Sequence, residues 1–132
     1  MRDSTRDYTI AQFRAYAALD CPTKEQIASD ETMHQALRLD LLAVIDTLNI
    51  LTSNGKEYIR QAVCAVYFPT PTEDLKKGEI NSRVMRYALK SYTDERTVWR
   101  WLKEARLLCA NLRGLNTGSC TKCTKKDVSR ND

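Results

Sequence analysis

The sequence predicts an all-α protein, a small helical bundle. Three observations carry this expectation. Apolar residues recur at spacings of three and four along most of the chain, and no segment sustains the period-two alternation of a half-buried strand. Glycine and proline are scarce, with 4 and 3 in 132 residues, too few for the many tight turns of a sandwich or barrel. The length suits one domain, and a chain of this size buries roughly two-thirds of its unfolded surface without help from a disulfide or a metal.

The elements follow in order. Thr9-Ile10-Ala11-Gln12 has the Thr-x-x-Gln form of a capping box and predicts the start of a short helix. Ile10, Phe13, Tyr16 and Ala17 share one face of it, and Asp20-Cys21-Pro22 ends it. Thr23 to Gln26 repeats the capping pattern and starts a second helical stretch. Leu37, Leu41, Val44, Leu48 and Leu51 then mark an amphipathic helix from near Asp30 to near Thr52. Its stripe reads as core-facing, with a homodimer seam left open. Asn54, three residues before Glu57, is the expected cap of a helix from Lys56 to about Phe68. Pro69 and Pro71 break that helix. Another helix runs from about Glu79 to near Tyr92, with Ile80, Val84, Ala88, Met85 and Leu89 expected inside. The last begins after the N-cap Asp94 and runs to Arg113, where Gly114 stops it. The organisation is thus an N-terminal helical region over 1–68, a proline-containing loop over 69–78, a two-helix unit over 79–114, and a disordered basic tail over 115–132.

Charge is uneven along this layout. Residues 1–72 carry seven Lys/Arg against nine Asp/Glu, and residues 73–132 carry fourteen against eight. The net charge of +4 therefore splits into −2 followed by +6. A basic second half points to an anionic partner, nucleic acid being the commonest. The longest apolar run, Ala62 to Phe68, is seven residues, far short of the ~20 that span a bilayer. The polar start Met1-Arg2-Asp3-Ser4 does not resemble a signal peptide, so a cytoplasmic protein is expected.

Cys21, Cys64, Cys109, Cys120 and Cys123 are read as reduced thiols, with Cys64 and Cys109 in the core. Cys120 and Cys123 form one C-x-x-C, but a structural zinc site needs four ligands and the single histidine is His34. No metal, cofactor or small-molecule substrate is expected. Nor is an enzyme, since the chain has no Gly-rich phosphate loop, nucleophile elbow or paired acidic motif. Asp40 and Asp46 read as solvated residues on a polar helix face.

The informative stretch is Ile80 to Arg106. It reads as helix, a turn of about three residues (Tyr92-Thr93-Asp94), helix. So short a connection predicts a helix-turn-helix, whose second helix enters the major groove. Ala88 is small where the helices must approach, while Val98 and Trp101 or Leu102 point inward. Arg96, Trp99, Arg100, Lys103 and Arg106 fall on the other face, and Arg83, Arg86 and Lys90 add charge to the supporting helix.

Thr97-Val98, Leu102 and Ala105-Arg106 resemble the T-V…L..A-R pattern of sigma-70 region 4 helix-turn-helix domains. The stretch from Asp94 to Leu102 resembles their recognition helix. The longer layout is similar to small sigma-like regulators of Gram-positive phages and prophages, of the late-gene or autolysin-regulator type. Three features depart from the pattern. Tyr92 stands where such turns usually have glycine, Asp94 and Glu95 place acids at the helix start, and the loop from Pro69 to Lys77 is long. The resemblance implies a sequence-specific transcriptional regulator that binds double-stranded DNA with the helix over 95–113.

Arg96 and Arg100, with Trp99, are the expected base contacts, because arginine reads guanine bidentately. Packing against other helices or a partner subunit is the competing reading of Trp99. Lys103, Arg106, Arg83 and Arg86 are expected on phosphates, which position without specifying. RNA polymerase remains open as a further partner. The alternative functions are a helical interaction module or polymerase-binding adaptor, and a small-terminase DNA-recognition subunit of phage packaging.

Overall fold

The computed structural model describes residues 4–115. Six helices follow one another: α1 (Ser4–Ala18), α2 (Lys24–Ser29), α3 (Gln35–Ser53), α4 (Glu57–Tyr67), α5 (Glu79–Lys90) and α6 (Glu95–Arg113). No strand occurs among the described residues, and the expected all-α bundle is what forms. The tail beyond Leu115, with Cys120, Cys123 and its lysines, lies outside the described residues.

Helix α6 is the hub. It packs against α1, α3, α4 and α5, most extensively against α3. One main core draws on all five of these helices, through Phe13, Val44, Leu48, Val63, Val84, Val98 and Leu102. The α3 stripe is committed to this interior, with Val44, Leu48 and Leu51 in the main core and Leu41 in a second, smaller one. That second cluster, Ile27 with Leu41 and Ile45, fastens the six-residue α2 to α3. Phe13 and Tyr67 stack with ring centroids 5.7 Å apart, joining α1 to the end of α4. Cys109 is buried as expected, whereas Cys64 is only half-buried.

Most helix ends obey local chemistry. Thr23 caps α2 by accepting from the Gln26 backbone N–H, and the Gln26 side chain accepts from the Thr23 N–H. At the end of α6, Gly114 takes φ 85° and Leu115 N–H donates to the Ala110 carbonyl, a glycine-based stop.

Three ends differ from expectation. The Thr9 capping box is a mid-helix sequence, because α1 begins at Ser4 and the Thr9 hydroxyl donates to the Thr5 and Arg6 carbonyls. Gln12, the other half of that pattern, reaches α3 instead, donating to the Asp40 carbonyl. Helix α3 starts at Gln35, not near Asp30, because the Asp30 carboxylate accepts from both the N–H and the hydroxyl of Thr32 and holds a turn. Asn54 closes α3 and does not open α4, whose N-cap is Lys56; Glu57 accepts instead from the Thr52 hydroxyl at 2.8 Å.

Candidate nucleic-acid interface

Helices α5 and α6 are joined by the four residues Ser91 to Asp94. The turn is closed by backbone bonds from Ser91 N–H to Tyr87 and from Thr93 N–H to Ala88. The Ser91 hydroxyl also donates to the Tyr87 carbonyl at 2.7 Å. Val84 and Ala88 of α5 and Val98 and Leu102 of α6 are all buried, so compact aliphatic side chains fill the interface between the helices. Tyr92 sits at φ 54°. This is the left-handed conformation that glycine would take without cost. Asp94 opens α6 through its backbone carbonyl, which accepts from Thr97 and Val98, and its side chain makes no cap bond.

The two halves of α6 have different surroundings. In the first half, Arg96, Arg100 and Lys103 stand at spacings of four and three on one outward face, all exposed. None of the three forms an ion pair among the described residues; Arg100 makes one contact, from Nη2 to the Thr97 hydroxyl at 3.2 Å. The acid nearest along this face, Glu104, is bound by Lys56 at 2.6 Å, and that bond raises the Lys56 pKa. The second half is anchored. Arg113 Nε donates to Asp40 at 2.6 Å, and the Tyr8 hydroxyl donates to the same carboxylate at 2.9 Å. Asp40, read from sequence as a solvated residue, is thus the joint that ties α6 to α1 and α3. The hydrogen bond to Asp40 raises the Arg113 pKa, the direction expected for a cation with a carboxylate partner.

On the supporting helix, Arg86 is 70% exposed and, among the described residues, its one ion pair is with Glu79 at 3.8 Å. Lys90 is exposed one turn further on. Both border a shallow cleft of about 370 Å³ between the end of α4 and α5.

The remaining expected site residues are Arg83, Arg106 and Trp99, and of these Arg83 is withdrawn from the surface. Arg83, expected on phosphates, is 7% exposed. Its guanidinium donates to the Val66 carbonyl, the Thr70 hydroxyl and Glu79, each at 2.9 Å. It ties α5 to the end of α4 and is not available to a ligand. Arg106 is half-buried, with a buried Nε that has no hydrogen-bond partner. It lies near Tyr67, whose phenol pKa is raised by burial and only partly pulled back by the Arg106 charge. Trp99 is half-buried and packs on the main core, the packing role that competed with base contact. Trp101 also packs on that core and meets Tyr58 edge to face, with centroids 4.9 Å apart.

Sequence reasoning missed Arg14. Its Nη1 donates to the Tyr67 and Pro69 carbonyls and its Nη2 to Thr70 and Glu73, at 2.7–3.2 Å. The last carbonyl of α4 and three of the loop after it are therefore gathered on one guanidinium. Burial lowers the Arg14 pKa, and the neighbouring Arg83 charge adds to that. The only sequence signal was an arginine one position after the buried Phe13, on a helix otherwise poor in buried charge.

Burial raises the Cys64 and Cys109 thiols, Cys109 to about 11, which keeps both protonated near neutrality. Among the described residues no helix is long and apolar enough to cross a membrane. No family model matches the chain, and neither curated proteins nor solved structures show a match to it.

Proposed function

We propose that this chain is a sequence-specific DNA-binding regulator of transcription that reads the major groove with the first half of α6. One observation carries the reading: Arg96, Arg100 and Lys103 form an exposed stripe with no acidic partner among the described residues, on a helix whose other half is locked into the bundle. A rigid helix with free guanidinium groups near its N-terminus is the arrangement by which helix-turn-helix units reach base edges. Arg96 and Arg100 are the base-reading candidates, and Lys103, Arg86 and Lys90 the phosphate candidates. Arg83 is left out of the interface because its donors are used inside the fold, and Trp99 because it packs on the core; half-buried Arg106 stays a phosphate candidate beside Lys103. The resemblance of Thr97-Val98 to Arg106 to sigma-70 region 4 supports a transcriptional role of the small phage or prophage type.

Selection of bound sequences from a random duplex pool, at two salt concentrations, tests this. The expected result is a defined site whose affinity falls steeply with salt, by close to one log unit per log unit of salt for each phosphate neutralised. An unselected pool with salt-independent binding refutes the reading.

A further inference from the structure

Met85 and Leu89 stand one turn apart on the outer side of α5, and Tyr92 follows in the turn just beyond the helix end at Lys90, so the three make an apolar strip at this end of the unit. Their exposures are 50%, 75% and 98%. Sequence patterning places Met85 and Leu89 inside; the fold instead turns Val84 and Ala88 inward and leaves the strip uncovered. Tyr92 adds a second oddity. A bulky aromatic is held at φ 54°, fully in solvent, where glycine would relieve the backbone. Lone exposed apolar residues need no explanation, but two stacked on one helix face with a third in the turn directly beyond do.

Charge says what fits there. Arg86 and Lys90 directly follow Met85 and Leu89 in the chain and are exposed beside the strip. The one acid of α5, Glu79, is held by Arg83 at 2.9 Å. Free carboxylates appear only past the turn, at Asp94 and Glu95. The body of the strip therefore has a cationic border. A second copy of the chain is a poor occupant. Three side chains fall far short of the roughly 20–30 residues per side of a stable dimer, and pairing α5 with itself sets Arg86 and Lys90 against their own copies.

We propose that the Met85–Leu89–Tyr92 strip docks a short amphipathic helix of another protein, one with an apolar ridge flanked by carboxylates. The ridge covers the strip and the carboxylates pair with Arg86 and Lys90. This mode uses anchors at helical spacing on both partners.

The probe is a synthetic 18-residue helical peptide with leucines at spacings of four and three and glutamates flanking them; its control carries lysines in place of the glutamates. Each is titrated into the full ¹⁵N-labelled chain and followed by amide shifts. The expected result is perturbation confined to α5 and its turn, with the glutamate peptide at least tenfold tighter. Met85→Ser with Leu89→Ser abolishes this and leaves the melting temperature and duplex affinity unchanged. Arg86→Glu with Lys90→Glu inverts the preference toward the lysine peptide. Equal affinity for both peptides, perturbation elsewhere, or no perturbation overturns the proposal. So does a concentration-dependent dimer in sedimentation that the two serines abolish. Duplex binding is measured on the same samples, so a failed DNA reading and a failed docking reading give separate signatures.

Discussion

Arg14 and Arg83 lie inside the bundle, whereas Arg96 and Arg100 stand outside it, and the four side chains have nothing in common but their chemistry. The inner pair gather backbone. Together they bond five carbonyls and one hydroxyl around the loop after α4, from Val66 to Glu73. The outer pair bond one side-chain hydroxyl between them. A guanidinium has five N–H donors and cannot shed its charge, so its role depends on what the fold brings to it. Where a helix end leaves carbonyls without partners, arginine becomes a structural clamp. Where the helix faces solvent, the same fork remains available to a base or a phosphate.

Breaking the inner side should have the largest effect. Arg14→Met removes a charged donor from four carbonyls, of which Pro69 and Thr70 keep the Thr70 hydroxyl and the Glu73 N–H, and a loss of about 3 kcal/mol in urea unfolding is expected. A loss under about 1 kcal/mol would show that water replaces the clamp without cost.

Alkaline titration probes the same interior through a different group. The Cys109 thiol has a folded pKa of about 11 against 9.0 for the free group. The unfolded chain therefore ionises first, and the folded state binds the extra proton. This stabilisation is complete below pH ~9 and is lost as pH rises toward ~11, about 2–3 kcal/mol in all. Tyr67, raised by burial, acts in the same direction. Unfolding measured from pH 8 to 11 should show the decline, and Cys109→Ala should flatten it.

Arg83 and Arg86 sharpen the comparison most closely, being three residues apart on one helix. Arg83→Met should cost about 2 kcal/mol of stability, since it removes three bonds from a buried group. Arg86→Met should change stability by less than about 0.5 kcal/mol and lower duplex affinity at all sequences alike. On the outer side, Arg100→Ala should leave the melting curve within about 0.5 kcal/mol of the parent. It should weaken binding to the selected site by about 1–2 kcal/mol and relax preference at one position. Equal effects on selected and unselected duplexes would assign Arg100 to the backbone.

Much of the helical layout was legible because its signals are local. Asp94 and Gly114 bracket α6, and the observed Glu95–Arg113 falls between them. Thr23 with Gln26 marks the start of α2 for the same reason. The failures came where a local signal had two meanings. Thr-x-x-Gln opens a helix at Thr23 but lies inside one at Thr9, where the hydroxyl bonds back to carbonyls of its own helix. Asp30 preceded an apolar periodicity, yet its carboxylate preferred the Thr32 turn. In the candidate site, the face carrying Arg96, Arg100 and Lys103 followed from helical spacing. Arg106 is only 80° of helical rotation from Val98, close enough to the core for its Nε to be enclosed.

By itself the sequence determined the helices, most of their ends, the apolar stripe of α3 and the basic face of α6. These depend on residues within a turn or two of one another, where spacing and capping chemistry act directly. Only the tertiary structure decided which charges are free. Asp40 became a joint because Tyr8 and Arg113, 32 and 73 residues away in the chain, converge on it. Arg14 and Arg83 became clamps because the loop after α4 folds back over them. Met85 and Leu89 stayed exposed because, among the described residues, no other helix packs over that side of α5. Whether a polar group is bound or an apolar one is covered depends on partners brought from far along the chain, and no local pattern encodes where those partners arrive.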